Sequence, residues 1–402
     1  MEKIYIKNFG GITKADIEIK PFTVFIGEQS SGKSVVAKLV YFCRTLMLEL
    51  YKQRTPQGFV ERTNKRFKKY FPSSYWPQNE FTIQYEFGNK QPYAFIGKNG
   101  DLQISLPKDV VQDLGSLPSP SVYEILNSET NANDTLQSIL LKYGFNQTNL
   151  FVPASRSIFA HVERNSFSYF GEDTQFDPFF IEFGQMHQAF KGAHHSVEMD
   201  GITQDFWNKA SGLLKAKFLK DQTTGEEYLV HEDGRKVGLA FASSGQQELL
   251  PLLLILARFN GERFKDGHHC YYIEEPEAHL FPNAQKQVTD LLAWTFNNKV
   301  SKNEFIITTH SPYILASLNN LLQAGNILVE SPEKAEQLYE IVGKDEVMNL
   351  KDLGAYEIKD GKVNSIIDQE NGLILAEYLD GVSDEIGEQF DRLLDLSFGE
   401  DE

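Results

Sequence analysis

The sequence has few features of a secreted or membrane protein. Its 402 residues include two cysteines, Cys43 and Cys270, both within apolar stretches, which is typical of buried thiols in a reducing compartment. The first residues lack the pattern of a signal peptide. The longest apolar run, Leu249 to Ala257, is interrupted by Pro251 and is too short to cross a bilayer. We therefore expect a cytoplasmic protein without a membrane partner.

Positive charge is scarce as well. The formal net charge of -17 at pH 7 argues against a broad surface that wraps nucleic acid, although it permits a local basic patch. The segment 62–69 is such a patch, and it predicts either a phosphate or nucleic-acid contact or the solvated face of a helix. The acidic composition favours the solvated face. The basic residues of this segment are Arg62, Lys65, Arg66, Lys68 and Lys69.

Two further patterns are missing. No sustained heptad repeat occurs, so we expect no long coiled-coil arms. Residues 327–335 superficially resemble the opening of a TOPRIM nuclease domain, but the Asp-x-Asp pair that such a domain needs for Mg²⁺ does not follow them. The sequence therefore predicts no nuclease domain in its tail.

The strongest motif present is a phosphate-binding loop. It follows an apolar segment, 22–26, that predicts a buried strand, and it precedes an apolar run, 35–50, that predicts a helix. In such a loop backbone N–H groups surround the β-phosphate, Lys33 reaches the β- and γ-oxygens, and Ser34 ligates Mg²⁺. The pattern G-x-x-x-x-G-K-[ST] is matched by Gly27, Glu28, Gln29, Ser30, Ser31, Gly32, Lys33 and Ser34.

Acidic residues follow a second predicted strand, 269–273. Carboxylates at the carboxyl end of an apolar strand lie where ligands bind in open α/β sheets. We predict that Glu274 ligates the metal and that Glu275 orients and deprotonates the attacking water. A further apolar strand, 305–309, is followed by His310, whose imidazole can hydrogen-bond a γ-phosphate oxygen and report hydrolysis.

Three other segments give weaker signals. The turn Ser243-Ser244-Gly245-Gln246 precedes an apolar helical run and can bind an anion, although any serine N-cap has the same pattern. Arg156 follows the predicted strand 149–153, and it is either a sensor of a phosphate or partner or an ordinary surface ion pair. His194-His195 lacks a third ligand at regular spacing, which favours a solvated pair over a metal site.

Turn signals predict three hairpin regions. Residues 81–106 contain Asn99-Gly100, a strong two-residue turn, and residues 217–241 contain two loop signals. Residues 356–368 predict a hairpin around Asp360-Gly361. Residues 122–143 and most of 157–212 predict helices.

Taken in chain order, the four motifs resemble those of a known family. GEQSSGKS, ASSGQQE, YYIEEPEAHL and IITTHSP are similar to the phosphate loop, signature loop, second acidic motif and switch histidine of ABC-type ATPases. The Glu-Glu-Pro-Glu motif and the segment Val152–Arg156 resemble more narrowly the SMC/RecF-like and OLD-type group of AAA-family ATPases in bacterial defence and repair systems. The sequence departs from the family's usual motifs at two places. Ser30 stands where such loops often have glycine, and the signature loop reads Ser-Ser-Gly rather than Ser-Gly-Gly. Members of the family have a loop glutamine that joins the metal to the attacking water. This sequence has no evident counterpart, and we expect its equivalent within residues 153–158.

The resemblance implies a fold class and a domain plan. The fold class is α/β, an ABC-type P-loop NTPase with a mixed central sheet, an N-terminal antiparallel β unit and an inserted mainly helical and β-hairpin region. Residues 1–50 and 149–330 are expected to form the ATPase core, with 51–148 as the inserted subdomain. Residues 331–402 are expected to form an extension that packs on the core or docks a partner. An apolar stripe in this extension consists of Ile386, Phe390, Leu393 and Leu394.

The resemblance also implies an activity and an assembly. We expect an ATPase that uses ATP and Mg²⁺, with Glu275 and His310 as catalytic residues and Ser34 and Glu274 at the metal. In similar proteins two ATP molecules lie between two subunits, so Ser243 and Gly245 would act on the partner's nucleotide. The expected role is a homodimeric switch for a separately encoded nuclease or toxin in antiphage defence. The alternatives are a DNA repair ATPase and, least favoured, a transporter subunit.

Overall fold

The computed structural model describes residues 2–46, 55–88, 93–116, 147–161, 176–193, 201–221, 226–261, 264, 266–375 and 388–392. Its strands are β1 (Glu2–Phe9), β2 (Ile12–Ile19), β3 (Phe22–Ile26), β4 (Phe81–Phe87), β5 (Tyr93–Lys98), β6 (Asp101–Ser105), β7 (Thr148–Val152), β8 (Lys217–Lys220), β9 (Glu227–Val230), β10 (Lys236–Gly238), β11 (His268–Glu274), β12 (Lys302–Thr309), β13 (Leu353–Lys359), β14 (Lys362–Ser365), β15 (Ile367–Asp368) and β16 (Leu373–Ile374). Its α-helices are α1 (Lys33–Arg44), α2 (Pro56–Tyr70), α3 (Lys108–Ser116), α4 (Pro178–Ala193), α5 (Gly201–Leu214), α6 (Ser244–Phe259), α7 (Pro282–Phe296), α8 (Pro312–Glu330) and α9 (Ala335–Tyr339).

One large mixed sheet organises these elements. Its strand order is β6-β5-β4-β1-β2-β14-β13-β3-β12-β11-β7. The segment from β13 to β7 is parallel, whereas β6, β5, β4, β1 and β2 pair antiparallel. The predicted fold class, α/β with a mixed central sheet and an N-terminal antiparallel unit, is therefore confirmed.

The hydrophobic patterns explain how the two kinds of strand are placed. In β3, β11 and β12 nearly every residue is buried, because helices cover both faces of a parallel sheet. On one face Tyr272 and Ile306 pack with α1 and the antiparallel unit. On the other face Tyr271 and Ile307 pack with α6, α7 and α8. The alternation along each strand thus divides the core into two layers.

The predicted hairpins are confirmed. β4, β5 and β6 form an antiparallel meander, and the turn at Asn99 and Gly100 has positive φ at both residues, as a type I′ turn requires. β8, β9 and β10 form a small separate antiparallel sheet. The strands β13 and β14 form the hairpin around Asp360 and Gly361.

The C-terminal hairpin contributes to the central sheet itself. β13 pairs in parallel with β3, the strand that precedes the phosphate loop, and β14 contacts β2. Residues 353–365 therefore connect the parallel and antiparallel parts of the sheet. The predicted helix at 122–143 and the His194-His195 pair lie outside the described residues, as does most of the apolar stripe. Phe390 of that stripe is described and is exposed.

A buried ionic network fixes the end of α1. The Arg44 guanidinium donates from Nη2 to Glu2 Oε2 at 2.6 Å and lies 3.0 Å, from Nη1, from Glu304 Oε2. The Tyr85 hydroxyl donates to the other Glu2 oxygen at 2.7 Å. Burial opposes ionisation of Glu304, but Arg44 and His268 hold its pKa far below the ordinary value. The network ties the helix that begins at the phosphate loop to β1 and β12.

Within the described part of the chain, no helix has the length and apolar character of a membrane span.

Candidate active site

The phosphate loop connects β3 to α1 as predicted. Gly32 caps α1 with a φ of +106°, a conformation that favours glycine. A Cβ on Gly27 would lie 2.3 Å from the Ile358 carbonyl oxygen, so glycine is needed where β13 approaches the loop. Ser30 has a φ of +61°, which explains why many such loops have glycine at this position. The departure at Ser30 is thus visible in the backbone.

Lys33 points into this loop from the first turn of α1. Its Nζ donates to the carbonyl oxygens of Gly27 at 2.7 Å and Glu28 at 2.6 Å. The same Nζ lies 3.3 Å from Nδ1 of His310. Burial lowers the pKa of Lys33, and the negative charges of Glu275 and Glu277 oppose that shift. The ammonium is therefore held at the centre of the site.

Glu274 is the last residue of β11 and lies beside Ser34. Burial raises the pKa of its carboxyl, while Lys38 and a hydrogen bond from the Ser34 hydroxyl lower it. The Ala154 N–H donates to Oε2 at 3.4 Å, whereas Oε1 is buried without a hydrogen-bond partner among the described residues. A buried, unpartnered carboxylate oxygen next to a serine hydroxyl fits Mg²⁺, which prefers oxygen ligands. Ser34 and Glu274 would hold the ion, and a bound Mg²⁺ would neutralise phosphate charge.

Glu275 lies next to His310. Its backbone N–H donates to Thr308 at 2.8 Å, and its φ of +44° is unusual for a residue other than glycine. Its Oε1 lies 3.0 Å from Nε2 of His310. The His310 ring therefore bridges the Glu275 carboxylate and the Lys33 ammonium.

Glu277, for which the sequence predicted no role, holds the end of β12 in place. Its Oε1 accepts hydrogen bonds from the Thr309 hydroxyl at 2.6 Å and from the backbone N–H of His310 at 2.8 Å. Burial raises the pKa of this carboxyl, and these two hydrogen bonds lower it. The sequence signal for Glu277 is a third acidic residue, two positions after Glu275. A local pattern cannot distinguish such a residue from an acid in a solvent-exposed turn.

The predicted signature turn begins α6. Ser243 is the N-cap, and it forms a capping box in which its Oγ accepts from the Gln246 N–H at 3.3 Å and its own N–H donates to Gln246 Oε1 at 3.1 Å. Gln246 Nε2 donates to the Leu214 carbonyl at 2.9 Å, so this amide supports the turn. A Cβ on Gly245 would lie 3.0 Å from the His279 carbonyl oxygen. Ser243 and Ser244 are exposed.

The structure contradicts a surface ion pair for Arg156. Its side chain is fully buried rather than at the surface, and its guanidinium donors are directed at protein carbonyl groups rather than outward. Arg156 does form an ion pair, with the buried carboxylate of Glu248, whose Oε2 lies 3.6 Å from Nε. Residues 153–158, where an equivalent of the metal-to-water loop was expected, contact both Glu274 and Glu275 through Ala154 and Arg156.

The topology explains which predicted residues meet. β3, β12 and β11 are neighbours in a parallel sheet, so their carboxyl ends share one edge. That edge brings together Lys33 and Ser34 from the loop, Glu274 and Glu275 from β11, and His310 from β12. Among the described residues, Gln246 of the signature turn instead donates to Leu214, and Gly245 lies close to His279 and Leu280.

Comparison with known proteins gave one family match. A sequence model of the family described as "AAA ATPase domain" matches residues 1–169 and 194–315. Among solved structures, the chain is similar to an SmcHead bound to the C-winged helix domain of ScpA, with 14% identity, a TM-score of 0.45 and coverage of 92% of this chain and 98% of that chain. The SMC head domain from Thermotoga maritima has 13% identity, a TM-score of 0.39 and coverage of 90% and 97%. An Smc head domain bound to the C-terminal domain of ScpA from Pyrococcus furiosus has 16% identity, a TM-score of 0.39 and coverage of 96% and 100%.

Proposed function

Because the chain belongs to the AAA ATPase domain family, we propose that it binds MgATP and hydrolyses it as a homodimer. The observation that carries the proposal is the row of contacts from Lys33 through His310 to Glu275, beside the Ser34 and Glu274 pair. Lys33 and the loop N–H groups bind the phosphates, and Glu275 accepts a proton from the attacking water. His310 senses the γ-phosphate between the two charges.

The placement of the signature turn supports the proposed homodimer. Ser243 and Ser244 are exposed at the N-terminus of a sixteen-residue helix, where the N–H groups outside the capping box and the helix dipole favour an anion. We propose that this turn closes on the nucleotide held by a second subunit. Two ATP molecules would then join the subunits, and hydrolysis would release them.

We further propose that this cycle controls a separately encoded effector, a nuclease or toxin, in antiphage defence. The support is the likeness of the Glu-Glu-Pro-Glu motif and of residues 152–156 to ATPases of bacterial defence and repair systems, together with the lack of a recognisable effector domain in the sequence. Purification with the product of the neighbouring gene, with and without ATP, tests this role. We expect an ATP-dependent complex and a change in effector activity, and the absence of both would contradict it.

The ATPase itself is tested with the purified protein. We expect MgATP to remain bound through gel filtration and phosphate to be released catalytically, and Lys33→Ala to remove both properties. As a control, Glu333→Gln changes an exposed acid on a short helix far along the chain and should leave both unchanged. Neither retention nor phosphate release by the unaltered protein would overturn the proposal.

DNA repair remains the second candidate, because Lys65, Lys68 and Lys69 are exposed on α2. This role predicts ATP turnover that is stimulated by DNA and that loses the stimulation steeply as salt rises. Replacing Lys68 and Lys69 with glutamine should then weaken DNA binding across sequences without changing basal turnover. DNA-independent turnover would favour the effector switch.

A further inference from the structure

Arg156 makes an unusual set of buried contacts. Its side chain is 0% exposed. Nη1 donates to the carbonyl oxygens of Pro153 at 2.9 Å and Glu274 at 2.7 Å, and Nη2 donates to that of Glu275 at 3.0 Å. Nε donates to the carbonyl oxygen of Glu248 at 3.0 Å. One planar guanidinium therefore joins the loop after β7, the end of β11 and the first turns of α6.

The contact with Glu275 bears on the proposed base. Glu275 has a φ of +44°, and a non-glycine residue holds such a conformation only when its surroundings fix it. Its backbone is held on both sides, since the N–H donates to Thr308 and the carbonyl accepts from Arg156. The direction of the Glu275 carboxylate, and its contact with His310, depend on this backbone. Arg156 thus helps to set where the base points.

The contact with Glu248 connects Arg156 to the helix that begins at the signature turn. Glu248 lies five positions after Ser243 on the same helix, and it is buried. Its Oε2 accepts a hydrogen bond from the Arg156 backbone N–H at 2.9 Å and lies 3.6 Å from Nε. A buried charge pair whose guanidinium also makes four hydrogen bonds to backbone carbonyl groups resists rearrangement. A small shift of the first turns of α6 would therefore move Arg156.

We propose that Arg156 is a positioning residue that couples the signature turn of a subunit to the Glu275 of that same subunit. The inference rests on the proposed function, in which the turn touches the partner's nucleotide while Glu275 acts on the subunit's own. Closure of the turn on one ATP is transmitted through Glu248 and Arg156 to the geometry of the base for the other ATP. The two sites of the dimer thereby act cooperatively.

The test measures ATP turnover against ATP concentration for three variants. Arg156→Lys keeps the positive charge, but the compact lysine ammonium group cannot reach all four carbonyl groups that the guanidinium contacts. Glu248→Gln keeps an acceptor for the Arg156 N–H and removes the charge. Arg44→Lys is the matched control, because Arg44 is also buried and also donates to several groups, but at the far end of α1.

We expect the unaltered dimer to show a Hill coefficient above one. In Arg156→Lys, kcat should fall by about tenfold to hundredfold, since misplacing a catalytic group by roughly an ångström has effects of that size. Its MgATP affinity should change little and its Hill coefficient should approach one, a combination that general destabilisation does not produce. Glu248→Gln should shift both values in the same direction by less. Arg44→Lys should lower thermal stability while retaining kcat and cooperativity per folded molecule.

Unchanged kcat and cooperativity in folded Arg156→Lys and Glu248→Gln would overturn the coupling while leaving the ATPase proposal intact. A proportional loss of folded protein and activity, with the Hill coefficient retained, would assign Arg156 a merely structural role and also overturn it. If the unaltered protein neither turns over ATP nor dimerises, the proposed function itself fails. These outcomes are distinguishable in the same set of measurements.

Discussion

Replacing Glu275 with glutamine tests the assignment of the base. The amide has nearly the shape of the carboxylate, so its oxygen can still accept a hydrogen bond from Nε2 of His310, which lies 3.0 Å from Oε1 in the unaltered protein. Glu274, Ser34 and Lys33 are untouched by the change. MgATP binding should therefore persist, while the ability to accept the proton of the attacking water is lost.

The expected size of the effect follows from general-base catalysis. Proton transfer to a positioned side chain contributes about 10²- to 10⁴-fold to a rate. Glu275→Gln should accordingly raise the barrier by about 3 to 5 kcal/mol. The buried acids Glu274 and Glu277 cannot readily replace it, because the first lies beside Ser34 and the second accepts hydrogen bonds from Thr309 and His310.

Single-turnover phosphate release and equilibrium nucleotide binding, measured on one preparation, separate chemistry from binding. The account predicts a large loss in the first and little change in the second. Near-normal phosphate release would show that another group activates the water. Loss of binding together with turnover would show that Glu275 holds the nucleotide or metal instead.

Three further predictions concern binding and stability. Lys33→Ala should abolish MgATP binding and dimerisation together, as calorimetry and sedimentation would show; retained dimers would contradict this. Arg44→Met removes the cation that pairs with the buried Glu2 carboxylate, while Glu304 keeps its contact with Lys302, so denaturant titration should show a loss of about 3 to 5 kcal/mol; a smaller loss would mean that the network relaxes. Burial lowers the pKa of His269 to about 4, below its unfolded value of about 6.5. The stability that depends on neutral His269 is thus complete above pH 6.5 and is lost as pH falls toward 4, and His269→Leu should flatten this part of the stability curve.

Much of the site could be predicted from sequence, because its parts are local. The strand, loop and helix around Lys33 each have a short-range pattern, and Glu274 and His310 follow apolar strands. Parallel strands bring their carboxyl ends to one edge, so residues far apart in sequence were expected to converge. The structure places Lys33, Glu275 and His310 in one connected row at that edge.

The missed features depend on non-local contacts. β13 lies between β14 and β3 in the sheet, and parallel pairing of distant segments leaves no local pattern that reveals a neighbour. The burial of Arg156 has the same origin, since four carbonyl groups from three segments surround it. Arginine side chains are mostly exposed, so the sequence predicted a surface position for Arg156, whereas the structure buries it.

The central claim is that a triphosphate is held between two copies of this chain. The molar mass in solution of the Glu275→Gln variant, measured in MgATP, tests this claim most directly. The account predicts twice the monomer mass in MgATP and the monomer mass in ADP. Adding Ser244→Glu should abolish the doubling, because this exposed position then presents a negative charge to the partner's phosphates while an acid still suits the first turn of a helix. A monomer that retains MgATP, or a dimer that is indifferent to Ser244→Glu, would contradict the account.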